Sequence, residues 1–166
     1  MVFLASYQAS EFDSSRFFLG DHGVVMHRRN EVFTESVRSI SPRFVTIYNQ
    51  ARTAEENGLS EVAGCGFRRS IEFLVKDYLL FDNKDSGADE EGVKTAHLAD
   101  CIKKIDDERV RAIARKATWL GNDETHYLRK FEDFDLQNLK ELIKLTAYWI
   151  DAKETAKKYD QDLPSK

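Results

Sequence analysis

Ser60-Glu61-Val62-Ala63-Gly64-Cys65-Gly66-Phe67-Arg68-Arg69-Ser70-Ile71-Glu72-Phe73-Leu74-Val75-Lys76-Asp77-Tyr78-Leu79-Leu80-Phe81 carries the clearest periodicity in the chain. Phe67, Ile71, Leu74, Tyr78 and Phe81 step by four, three, four and three residues, which aligns them on one face of an α-helix. Ser60 caps its start, with Val62 and Ala63 in the first turns. Gly64 and Gly66 weaken the helix but permit close approach of a neighbouring element. Arg68 and Glu72 lie one helical step behind the stripe, and Val75 and Leu79 continue their row. An Arg–Glu couple four residues apart is ordinarily a surface ion pair. Beside apolar neighbours it is partly desolvated, so Arg68 must be held by several acceptors or left open for an anionic ligand.

Helical signals continue on both sides. Upstream, Ser41-Pro42 is a helix start, followed by Phe44, Tyr48, Ala51 and Ala54 at helical spacing up to the stop at Asn57-Gly58. Ser36 to Ser41 is a polar lead-in. Downstream, Asp82 to Gly92 is acidic and rich in small residues and reads as a loop. Its five carboxylates lack the order of a calcium loop. Thr95 to Ile105 makes a shorter helix with Leu98, Cys101, Ile102 and Ile105 inward. Asp106-Asp107 caps another, with Val110, Ile113, Ala114 and Ala117 on its face. Gly121 is expected to stop that helix, with Asn122 or Asp123 capping a short one that contains His126. On that helix Asn122 and His126, four residues apart, share a face. Asp135 caps the last long helix, striped by Leu136, Leu139, Ile143, Thr146 or Ala147, and Ile150, and from Asp151 the chain becomes a Lys-rich, fraying tail.

The first forty residues differ in character. Phe17-Phe18-Leu19 and Val24-Val25-Met26 flank Gly20-Asp21-His22-Gly23, the pattern of a short β-hairpin. His22 and His27 have no third or fourth ligand nearby, so no metal site is expected. The sequence thus predicts a mainly α protein, a bundle of five or six helices with a short N-terminal β-hairpin appendage. Residues 1–40 form the extension, 41–160 the helical domain and 161–166 a flexible tail.

Composition narrows the functional classes. With 25 basic and 29 acidic side chains the chain is not a whole-surface nucleic-acid binder, though a local basic patch is compatible with it. Arg109, Arg111, Arg115 and Lys116 form such a strip, which Lys103 and Lys104 extend. Cys65 and Cys101 are far apart and in no CxxC arrangement, which fits a reducing cytoplasm and gives no zinc or redox motif. Met1-Val2-Phe3-Leu4-Ala5-Ser6 is too short and lacks a basic n-region, so no signal peptide is expected, and no apolar run approaches the roughly 18 residues of a membrane span. No cofactor is implied.

The candidate site residues are Arg68, Glu72, Arg115, Asn122, Asp123 and His126. His126 is either a general acid/base or a packed, hydrogen-bonded residue. Asn122, Asp123 and Arg115 could orient its imidazole or hold a phosphate.

Arg68-Arg69-Ser70-Ile71-Glu72 followed by Leu120-Gly121-Asn122-Asp123-Glu124-Thr125-His126 resembles the bacterial family called domain of unknown function forty-one forty-five. That family is usually grouped with the HEPN helical-bundle superfamily. The likeness covers about residues 41–152. The resemblance implies a bundle that often forms a homodimer through its motif-bearing helices, in a restriction, toxin–antitoxin or other anti-phage setting. Active HEPN ribonucleases carry an Arg-x4–6-His motif, commonly with Asn after the Arg, and cleave RNA without metal. This chain matches Asn122 and His126, but Gly121 stands where the arginine is expected. Loss of that guanidinium costs on the order of 3 kcal/mol of transition-state stabilisation. The leading expectation is therefore a non-catalytic HEPN-like module that binds RNA, a nucleotide or a partner protein. A metal-independent endoribonuclease with His126 as acid/base and Arg68 as phosphate clamp, and a purely structural dimer, are the rivals.

Overall fold

The computed structural model describes residues 30–82, 89–123, 127, 130 and 135–163. In chain order the helices are α1 (Glu35–Ile40), α2 (Pro42–Glu56), α3 (Ser60–Asp82), α4 (Glu90–Thr95), α5 (Leu98–Lys103), α6 (Glu108–Asp123) and α7 (Leu136–Asp162). No strand occurs among the described residues. The hairpin expected over residues 17–26 lies outside them.

The striped stretch is the axle of the bundle. α3 touches every other helix, α2 most extensively. Phe67, Ile71, Leu74, Val75 and Tyr78 are fully buried on it, whereas Phe81, at its end, is 37% exposed. Gly66 makes the α2 contact possible: a Cβ there would stand 2.8 Å from the Ala51 Cβ. Next to that contact the rings of Tyr48 and Phe67 meet edge to face, and Phe33 and Phe44 extend the aromatic cluster. Ser41 both caps α2, by accepting the Phe44 N–H, and donates its hydroxyl to Asp77 on α3.

Among the described residues seven helices stand where five or six were expected, for a local reason. α1 and α4 are six residues each, too short to show a 3.6-residue stripe. Their only signals are caps: Thr34 Oγ1 accepts the Val37 N–H and Asp89 Oδ1 the Gly92 N–H. The polar lead-in of residues 36–41 is thus mostly α1, which buries Val37. The helix expected over residues 95–105 is confined to α5, and Leu98, Cys101, Ile102 and Ile105 are buried as the pattern required.

Two further corrections bear on the site. α6 does not stop at Gly121 but continues through it to Asp123. The only glycine with positive φ among the described residues is Gly58, which ends α2. α7 also runs on past Asp151 to Asp162, anchored where Lys153 and Lys157 meet Asp82 at the end of α3. Asp135 starts it with a reciprocal cap, its carboxylate and the Asn138 amide each accepting the other's backbone N–H at 3.0 Å. None of the described helices is long and apolar enough to cross a membrane.

Candidate functional site

Position 121 brings α3 and α6 together. A Cβ at Gly121 would lie 3.0 Å from Arg68 Cδ and 3.3 Å from Arg68 Cβ. The missing side chain leaves its space to the aliphatic stem of Arg68, which lies across α6 and carries its guanidinium to the next residue. Arg68 Nε donates to Asn122 Oδ1 at 2.6 Å, and Nη1 to Glu72 Oε2 at 3.2 Å. Lys76 then approaches the other Glu72 oxygen at 3.0 Å and donates to the Lys94 carbonyl at 2.9 Å. A single polar line therefore runs from α6 over α3 to α4.

Arg68 and Glu72 are 23% and 35% exposed, so the pair is half-buried, as the flanking apolar residues required. Burial works against the charge of Glu72. Hydrogen bonds and attraction from Lys76 and Arg68 outweigh it and hold the carboxyl below its ordinary range.

The structure unites Arg68, Glu72 and Asn122 and places Asp123 and Arg115 outside that hydrogen-bonded group. Asp123 is buried in the last turn of α6, where its two oxygens accept the Lys130 N–H at 2.8 and 3.0 Å. Its negative charge thus serves the backbone leaving α6. His126 lies outside the described residues. Arg115 is exposed on α6, on the far side of Asn122 from Arg68.

Asn122 also lines a groove of about 360 Å³ between α5 and α6, with Ala99, Ile102, Lys103, Arg115, Thr118 and Trp119. The lining holds two cations and no carboxylate. Lys103 is partly compensated by Asp100 at 2.8 Å, whereas Arg115 meets no acceptor among the described residues. Of the rest of the basic strip, Arg109 and Arg111 are occupied, whereas Lys104 and Lys116 meet no acceptor among the described residues. Arg109 pairs with Asp107 and lies 4.6 Å over the Trp149 ring, and Arg111 donates to the Ile105 carbonyl. Arg68 does not line the groove; it reaches it only through Asn122, whose amide oxygen accepts its Nε–H.

Two contributors escaped the sequence reading. Lys76 is the next step of the four-residue row Arg68–Glu72, a signal that the apolar continuation through Val75 and Leu79 obscured. Trp119 is 55% exposed at the groove's edge, and its position beside the inward Leu120 and Gly121 only has meaning once α6 is known to be continuous.

No protein-family model matches this chain, and neither a curated protein nor a solved structure matches it significantly.

Proposed function

We propose that the chain is a non-catalytic HEPN-like module that binds a nucleotide or single-stranded RNA, with a phosphate held at Arg115 in the α5/α6 groove. One observation carries the reading: Arg115, with no acceptor of its own among the described residues, shares a groove free of carboxylates with Lys103, Asn122 and the exposed Trp119. A guanidinium supplies a bidentate donor to phosphate, and an exposed indole supplies a sequence-tolerant stacking surface. The resemblance adds a setting, a bacterial defence or restriction-type system.

The same geometry favours binding over RNA cleavage. The space where a motif arginine would begin at position 121 is filled by Arg68, and the Arg68 guanidinium is engaged by Asn122 and Glu72. A ribonuclease would have to release it to reach a scissile phosphate.

Calorimetric titration with AMP and with a short single-stranded RNA, at low and raised salt, tests the reading. The expected result is binding that weakens with salt and intact RNA after prolonged incubation. Arg115→Ala should raise Kd by roughly tenfold, the worth of one charge-assisted phosphate contact. Arg115→Ala binding both ligands as tightly as the unchanged protein, or neither ligand binding at millimolar concentration, overturns it.

A further inference from the structure

The cationic groove occupies one side of Trp119. On the other side, between α6 and α7, lies a second hollow of about 450 Å³ that also has Trp119 in its wall. Leu120, Leu142 and Leu145 make its lining largely apolar, and Lys116, Asn138 and Glu141 supply its polar groups. Both hollows fall in the size range that takes small ligands. Trp119 is thus a ridge on the outer face of α6 with two unlike hollows, one cationic and one apolar.

We infer that the two hollows are halves of one purine-nucleotide site, with the base stacked on Trp119 in the α6/α7 hollow and the phosphate across the ridge at Arg115. This assignment rests on the phosphate site proposed above and adds the place and class of the base. Charge decides the orientation. In the α6/α7 hollow the carboxylate of Glu141 offsets the charge of Lys116, whereas the α5/α6 groove has cations alone. The leucine lining offers an apolar partner to a ring face that a phosphate or sugar cannot use.

The polar groups of the second hollow suit a base edge. Glu141 Oε1 accepts from Gln137 Nε2 at 3.1 Å, which steadies the carboxylate as an acceptor for an exocyclic amino group. Asn138 is fixed by its role in the α7 cap. A purine covers more of the indole than a pyrimidine does, and adenine and guanine each carry an amino donor. The ribose passes over the exposed edge of Trp119.

The test compares AMP, ribose 5-phosphate and inorganic phosphate by calorimetry on the full chain. AMP is expected to bind roughly tenfold or more tighter than ribose 5-phosphate, the worth of one base–aromatic stack. Leu145→Glu should bring the AMP to ribose 5-phosphate affinity ratio close to one, since the ratio cancels any general effect of the added charge on the phosphate. Leu145 is 40% exposed, so the variant keeps its core. Trp119→Ala, at another exposed position, should collapse the same ratio and serves if Leu145→Glu melts early. Equal affinities in the unchanged protein, or a ratio that survives both substitutions, overturns the inference. If ribose 5-phosphate binds through Arg115 while AMP gains nothing, the inference fails and the proposed function stands. If none of the three phosphates binds, the proposed function fails and takes the inference with it.

Discussion

Single side chains at the α3 surface set both charge and stability. Asp77 is the instructive one, because burial lifts its carboxyl above the ordinary aspartate range even though the Ser41 hydroxyl donates to it. A carboxylate whose pKa rises on folding opposes folding wherever it is ionised, and that penalty disappears as pH falls through the raised value. Asp77→Asn keeps an acceptor for Ser41 and removes the charge. Thermal melts should show it more stable than the unchanged protein at pH 7, with the gain gone at about pH 3. A variant less stable at both pH values would mean that the Ser41 contact needs the charge. Glu72 has the opposite sign: its lowered carboxyl contributes stability that is present at neutral pH and fades as pH falls through the lowered value.

Between helices, the contacts are set by which residues are small. The α2–α3 approach at Gly66 has no slack, since the obstructing atom is the Cβ of Ala51, which has no rotamer to escape into. Gly66→Ala should cost roughly 1–3 kcal/mol in urea unfolding despite the better helix propensity of alanine. Adding Ala51→Gly should recover part of that loss, and strict additivity of the two changes would refute the contact as the cause. Most of this layer was legible in the sequence. The stripe from Phe67 to Tyr78, the Ser41-Pro42 start, the Asn57-Gly58 stop and the Asp135 cap are local signals that packing did not override. Gly121 was not legible in the same way. A glycine before Asn-Asp has the form of a helix stop, and only the position of Arg68 on another helix explains why α6 runs through it. The continuation of α7 past Asp151 was likewise invisible, because its anchor is Asp82, some seventy residues earlier.

Taken whole, the unit from Val32 onward is a bundle whose core ends before its longest helix does. The last buried residue of α7 is Ile150, and the twelve that follow are held at Asp82 by Lys153 and Lys157. Burial disfavours the Asp82 charge, but the hydrogen bonds and attraction of the two lysines prevail and lower its pKa. That anchor is therefore intact at neutral pH and lost as pH falls through the lowered value. Hydrogen exchange should show protection factors over residues 151–162 collapsing on acidification while those around Phe67 to Tyr78 persist. Simultaneous loss in both places would make the bundle a single cooperative unit. For the site, the sequence supplied Arg68, Glu72 and Asn122 as neighbours but not the hollows beside α6. The groove walls come from α5 and α6 and those of the second hollow from α6 and α7, and that convergence is a property of the packed bundle alone.

The fit of the Arg68 stem over Gly121 also constrains how this protein can change over generations. Enlarging position 121 first meets the stem, and shortening position 68 first strips Asn122 and Glu72 of their shared donor. Each single step makes the residue on the other helix shift or lose a partner. Descendants are expected to keep both residues or to exchange both, with bulk passing from one helix to the other.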